Sequence, residues 1–178
     1  MKKIITLIAV FGLILLSSCE GPQGPPGFDG QNGKDGLISE VFEVINISFN
    51  STNNYAKLIP LTPAIHSSDM VLVYRLSGVT TQGADIWKSL PETYYFNDGT
   101  RDFDYNFDFT INDVNIFLEG NNLATVANAF KTNQVFRIVI LPGYLTTAKK
   151  STKKVDLSDY NAVIKAYNIN DTNVKVLN

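Results

Sequence analysis

The densest set of chemistry-bearing side chains in this 178-residue sequence is "RDFDYNFDFTI", where Asp102, Asp104, Asn106 and Asp108 recur at every second position, with Asp113 beyond. Spaced carboxylates are the raw material of a calcium site. These five residues occupy the first, third, fifth, seventh and twelfth places of a calcium-loop template. That template needs glycine at its sixth place for a sharp turn, and Phe107 stands there. Phe103, Tyr105, Phe107, Phe109 and Ile111 alternate with the polar residues, which is the period of a strand. A strand sets same-face carboxylates about 7 Å apart, too far to share one ion without ligands from elsewhere. The residues therefore read as the solvated face of a strand whose other face is aromatic and packed. A cation site built with a neighbouring loop is the alternative, and no metal or cofactor is expected. Trp87, with Tyr94 and Tyr95 nearby, has the chemistry to stack on a sugar ring. In a β-rich protein such aromatics serve more often as core, which is the expected role. His66, the sole histidine, stands in no G-x-S-x-G, H-E-x-x-H or phosphate-loop context and reads as a loop residue.

"STKK" at 151–154 supplies the Ser-x-x-Lys of penicillin-recognising enzymes, whose Ser-Asp-Asn and Lys-Thr-Gly elements should follow downstream. The chain offers only "SDY" at 158–160, and "KTN" at 131–133 lies on the wrong side. No catalytic residue is expected, and the chain reads as a non-enzyme. Lys149, Lys150, Lys153 and Lys154 then read as a solvated loop, with contact to lipid phosphates or an acidic glycan as the lesser alternative.

Cys19 is the only cysteine, so neither an intramolecular disulfide nor a multi-cysteine metal site is available. Lys2 and Lys3 precede a thirteen-residue run, Ile4 to Leu16, apolar apart from Thr6 and Gly12. That is the length of a signal-peptide core and falls short of the about 20 residues a transmembrane helix needs. The run ends in "LSSC", which resembles the bacterial lipobox. Resemblance to lipoprotein precursors implies cleavage after Ser18, a diacylglycerol on the Cys19 thiol, and Cys19 as an acylated first residue. Several acyl chains on one residue hold a membrane stably, where a single chain binds marginally. Removing Lys2 and Lys3 from the 15 basic residues leaves 13 against 17 acidic ones, a formal charge of −4. This mild negative balance argues against a nucleic-acid partner.

Glycines at 21, 24, 27, 30, 33 and 36 enclose five Gly-X-Y triplets. Only glycine fits the crowded axis of a collagen triple helix, which explains such a period. Five triplets with three prolines should hold three chains together weakly, so residues 19–36 read as a monomeric stalk, with a short trimeric helix as the alternative. At the polyproline rise of about 3.1 Å per residue, this stalk could reach roughly 50 Å. Signal, lipobox, "EGPQGPPG" and "DGQNGKDG" together resemble the short collagen-like-repeat lipoproteins of Gram-negative bacteria. The resemblance covers residues 1–36 and implies an address: the bacterial cell envelope, at the outer membrane, anchored through Cys19. It implies no activity. A protein or glycan ligand is the expected partner class.

Residues 37–178 must position whatever the anchor carries. Their 142 residues suffice for one core. "SEVFEVINISF" (39–49) reads as a first strand, and "DMVLVYRLSG" (69–78), apolar from Met70 to Tyr74, as a central strand buried on both faces. Asp98-Gly99 is a preferred pair for a tight hairpin turn with positive φ at both residues, so residues 93–97 and 101–111 should pair antiparallel. "VNIFLEG" (114–120) and "QVFRIVILPG" (134–143) supply further strands, and "NNLATVANAF" (121–130) is a candidate short helix. "DLSDYNAVIKAYN" (156–168) predicts a helix capped by Asp156 or Ser158, with Leu157, Tyr160, Ile164 and Tyr167 on one stripe. The expected fold is mainly β: an antiparallel β-sandwich-like domain with one or two short helices.

Overall fold

The computed structural model describes residues 39–143 and 155–178. They all belong to the second of two units in the chain, Gly36–Asn178. Among the described residues nine strands form two sheets. Strands β1 (Glu40–Ile47), β3 (Met70–Val79), β4 (Asp85–Ser89), β8 (Gln134–Leu141) and β9 (Lys175–Leu177) make one sheet in the order β4-β3-β8-β1-β9. Strands β2 (Ala56–Pro60), β5 (Glu92–Tyr95), β6 (Arg101–Phe109) and β7 (Asp113–Gly120) make the other, ordered β2-β7-β6-β5. All pairings are antiparallel except β1 with β9.

Period-two alternation builds the layers. Phe42 and Val44 of β1, Val71 and Val73 of β3, and Phe136, Ile138 and Ile140 of β8 face one way. They meet Ile59 of β2, Phe103 and Tyr105 of β6, and Val114, Ile116 and Leu118 of β7 in one core. The intervening residues of the five-stranded sheet form a second cluster. Tyr74, Val139 and Leu141 pack there against Tyr160 and Val163 of the helix α1 (Tyr160–Tyr167) and against Ile169. The five-stranded sheet is thus covered on both faces, which explains why β3 and β8 read as unbroken apolar runs. The β-sandwich with a helix laid on it is the architecture expected from the sequence. A bulge in β1 between Val44 and Ile47, where Asn46 takes φ 58°, resets the alternation so that Ile47 and Phe49 still point inward.

Local details correct several expectations. The β5–β6 hairpin forms, but Gly99 (φ 85°) alone takes positive φ. Phe96 N–H donates to Thr100 C=O, and Gly99 N–H donates to Phe96 C=O. The loop is therefore the three-residue kind, a tight turn followed by a left-handed glycine. Asp98 ties it down by accepting from the Thr100 N–H and hydroxyl, which hold its carboxyl below the usual carboxylate range. Residues 121–130 form turns and a single 3-10 turn, Asn128–Phe130, in place of a helix. The polar side chains there turn back on local carbonyls, as the Thr125 hydroxyl does on Asn122. Helix α1 starts later than expected. Asp159 caps it by accepting from Ala162 N–H, whereas Asp156 caps the preceding turn through Ser158. Leu157 lies before the helix, and its carbonyl accepts from the Tyr74 hydroxyl at 2.7 Å.

Candidate functional site

One concavity among the described residues lies where the sandwich is open along one side. There the two edge strands β9 and β2, one from each sheet, leave a groove of about 720 Å³. Phe42, Val44 and Ile140 line it from the five-stranded sheet, with Leu177 of β9; Ile59 and Leu61 line it from the other side. Lys57 and Lys175 stand at its margins. Register explains their direction: Lys57 pairs with Ile116 and Lys175 with Phe42, both core residues, so each lysine leans toward the gap between the sheets. Neither lysine has an ion-pair partner among the described residues. Glu40 stands at the end of the groove where β1 begins. Beside it the buried Ser39 hydroxyl lacks a hydrogen-bond partner.

The backbone of β2 adds a second element. Leu118 N–H donates to Tyr55 C=O, and Leu61 N–H donates to Asn112 C=O. In an antiparallel ladder the hydrogen-bonded pairs recur at every second residue, so Tyr55, Lys57, Ile59 and Leu61 spend their main-chain groups on β7. Ala56, Leu58 and Pro60 therefore turn theirs toward the groove side. That leaves two N–H donors and three carbonyl acceptors along an open edge; Pro60, with no N–H, sits where its absence costs no ladder bond.

Comparison with family models, with curated proteins and with solved structures finds no match to this chain. Its functional reading therefore rests on its own residues.

Two arginine clusters are the other concentrations of polar chemistry. Arg75 of β3 points into the sandwich. Its Nε and Nη2 donate to the two Glu92 carboxylate oxygens at 2.8 and 3.2 Å, Nη2 also to the Tyr94 hydroxyl at 2.6 Å, and Nη1 to Gln134 at 3.3 Å. The guanidinium lies 4.7 Å from the centre of the Tyr105 ring. Burial opposes charge on Glu92, yet the hydrogen bonds and charge of Arg75, with help from Lys88 and Tyr94, outweigh it and hold the carboxyl below its usual value. Burial pushes the Tyr94 hydroxyl up to about 12, against the pull of Arg75. Arg137 of β8 points the other way, under α1. Its Nε donates to Glu43 at 3.1 Å and its Nη1 to the Tyr160 hydroxyl at 2.8 Å, which in turn donates to Asp171 at 3.0 Å. Burial, offset in part by Arg137, raises the Tyr160 pKa.

These clusters settle where the sequence-predicted residues lie. Trp87 is half-buried, with the Arg137 guanidinium 4.3 Å from its ring centre and Tyr160 beside it. Tyr94 belongs to the other sheet and stacks on Phe103 at 4.8 Å, while Tyr95 is 65 % exposed. The three aromatics do not converge, and Trp87 and Tyr94 both pack into the layers. Of the acidic row, Asp104 departs from the expected solvated face. It is 8 % exposed, ion-paired to Arg101, with its Oδ1 unpartnered. The row runs between β5 and β7, so Thr93 and Glu119 flank Asp104 directly. Among the described residues no three His, Cys, Asp or Glu side chains are grouped to hold a metal. The aromatic face of β6 is buried at Phe103 and Tyr105, but Phe109 and Ile111 emerge at the end of the sandwich, 42 % and 46 % exposed. His66 is exposed in a loop closed by Asp69, which accepts from its N–H. Cys19, the stalk and the segment carrying Ser151 and Lys149, Lys150, Lys153 and Lys154 lie outside the described residues.

Sequence reasoning passed over the groove. Its lining comes from 39–44, 57–63, 140 and 170–178. The one signal available was Pro60 at the end of an apolar pair, the mark of an edge strand.

Proposed function

We propose that this chain is a lipid-anchored, non-catalytic protein of the bacterial cell envelope, which holds residues 37–178 on a short Gly-X-Y stalk as a binding or structural domain. The observation that carries the reading is the lone cysteine at position 19, placed directly after a thirteen-residue apolar run and two small serines. Two features of the domain support it. Ser39 precedes Glu40, whose partner is Ile140, so the domain starts at the end of the sandwich where β3 begins and β8 finishes. The loops 80–84, 96–100 and 121–133 lie at the opposite end, roughly 25 Å away over the eight residues of β1. The interior polar groups around Arg75 and Arg137 are engaged with one another across the layers, which is the work of a scaffold; the groove between β2 and β9 is the surface it offers.

Metabolic labelling with an alkyne analogue of palmitate in a Gram-negative host tests the anchor. The wild-type chain is expected to take the label and to sediment with membranes, and Cys19→Ser to lose both. An unlabelled wild-type chain would overturn the proposal.

A further inference from the structure

We infer that the open edge of β2 and the groove beside it receive an extended peptide as an added strand, one with apolar side chains at alternate positions and an acidic residue opposite Lys57 and Lys175. This rests on reading residues 37–178 as a binding domain. The edge supplies main-chain chemistry: Ala56 and Leu58 offer N–H donors, and Ala56, Leu58 and Pro60 offer carbonyls, all turned away from β7. A strand that takes up these bonds continues the β2-β7-β6-β5 sheet, and its inward side chains fall between the two sheets. The groove floor there is apolar, made by Phe42, Val44, Ile59 and Leu177. Its outward side chains come beside Leu58, which is 58 % exposed on the other face. Main-chain bonds then supply affinity and the floor supplies side-chain selection, as in other strand additions. The matching length is about five residues, the span of β2.

The lysines choose the occupant. A second copy of this chain pairing edge to edge through β2 would bring two copies of Lys57 into the same gap, and inward lysines are a device that blocks self-pairing. An acidic residue on the incoming strand instead gives the two unpaired ammonium groups a partner. Of the other edges, β9 lines the same groove but is only three residues long, β4 carries Trp87 under α1, and β5 turns Glu92 and Tyr94 inward to Arg75.

The test uses the full chain and a panel of synthetic seven-residue peptides alternating Thr with Val or Ile. In each, one inward position is Asp or, in the control, Lys; a further control is N-methylated on the amides that would face β2. Fluorescence anisotropy measures affinity, and hydrogen exchange locates the contact. Asp peptides are expected to saturate and to slow exchange in residues 56–60. The Lys and N-methyl controls are expected to bind about tenfold more weakly. Leu58→Pro removes an outward N–H and no bond to β7, so it should weaken binding by about tenfold while the far-ultraviolet spectrum is kept. Because a proline could disturb the strand, Lys57→Glu with Lys175→Glu provides an independent check: the preference should reverse toward the Lys peptide. Absence of saturable binding across the panel, equal affinity for Asp and Lys peptides, or protection at another edge would each refute the inference. Slowed exchange at 56–60 that tracks protein concentration, without peptide, would refute it in favour of self-association. A chain that labels at Cys19 but binds no peptide loses this inference and keeps the anchor.

Discussion

Arg75 and Arg137 are cross-strand neighbours in register, Tyr74 opposite Arg137 and Arg75 opposite Phe136, yet they sit on opposite faces of one sheet. Each lies against an aromatic ring, Tyr105 or Trp87, and each donates to a tyrosine hydroxyl and a carboxylate. Their surroundings differ. Arg75 is 6 % exposed between two sheets and holds one carboxylate, Glu92, through two bonds. Arg137 is more open, and besides Glu43 it stands 3.8 Å from Asp171 and 3.9 Å from Asp85. The comparison teaches that the face decides the role. In the sandwich gap the arginine joins sheet to sheet in a closed pair, and on the outer face it ties strands to the segment carrying α1.

The sharpest way to break the comparison is to remove each guanidinium. Arg75→Met should destabilise the fold by about 3–5 kcal/mol, because Glu92 stays buried with its main partner gone. Urea unfolding would measure this, and adding Glu92→Leu should recover much of the loss. Arg137→Met should cost less, about 1.5–3 kcal/mol, since water reaches part of the site and screens the three carboxylates left behind. Its effect should be local: hydrogen exchange should quicken in α1 first, whereas Arg75→Met should quicken it throughout both sheets.

Acid sharpens the contrast. Glu92 is held below its ordinary 4.5 in the folded state, so it contributes stability above that pH. The contribution is lost as pH falls through the lower folded value. Glu92→Gln should flatten that part of the stability profile, measured by thermal unfolding between neutral pH and acid. Tyr94 gives the alkaline counterpart. Its raised value of about 12, against an ordinary 10.0, favours the fold below pH 10 and loses that effect as pH rises toward 12. Tyr94→Phe should remove this alkaline slope. The smallest effect belongs to the helix end on the outer face. Asp159→Ala removes the cap from Ala162 N–H and should cost about 1 kcal/mol, read by thermal melting.

Much of the fold was legible because alternation is a local property. The strands around Val44, Phe103 and Ile116 each announce an inward face within a few residues, those around Val73 and Ile138 show as apolar runs covered on both faces, and Gly99 marks the hairpin. The short strands were illegible for the complementary reason. Trp87 lies in a five-residue strand of mixed polarity, Lys175 to Leu177 make only three residues, and Ala56 to Pro60 alternate too weakly to separate from a loop. The acidic row read correctly as a strand but not as wholly wet, since the burial of Asp104 depends on which strands lie beside it. The groove was not legible at all: Phe42, Ile59, Ile140 and Leu177 are far apart along the chain and meet only when the two sheets stack.

By itself, the sequence determined the class of the domain, mainly β, and which side of each alternating strand is apolar, since a period of two can bury only one set of alternate residues per face; for β3 and β8 it marked both sides as apolar. It also determined the type of each charge. The tertiary structure alone decided what those charges do. Strand order β4-β3-β8-β1-β9 put Arg75 and Arg137 side by side, and the stacking of the sheets gave them opposite surroundings. The same stacking left β2 and β9 as facing edges with two lysines between them. Pairing in a β-sandwich joins residues distant in sequence, so neither the partners of a side chain nor the opening between two edges can be read from its neighbours along the chain.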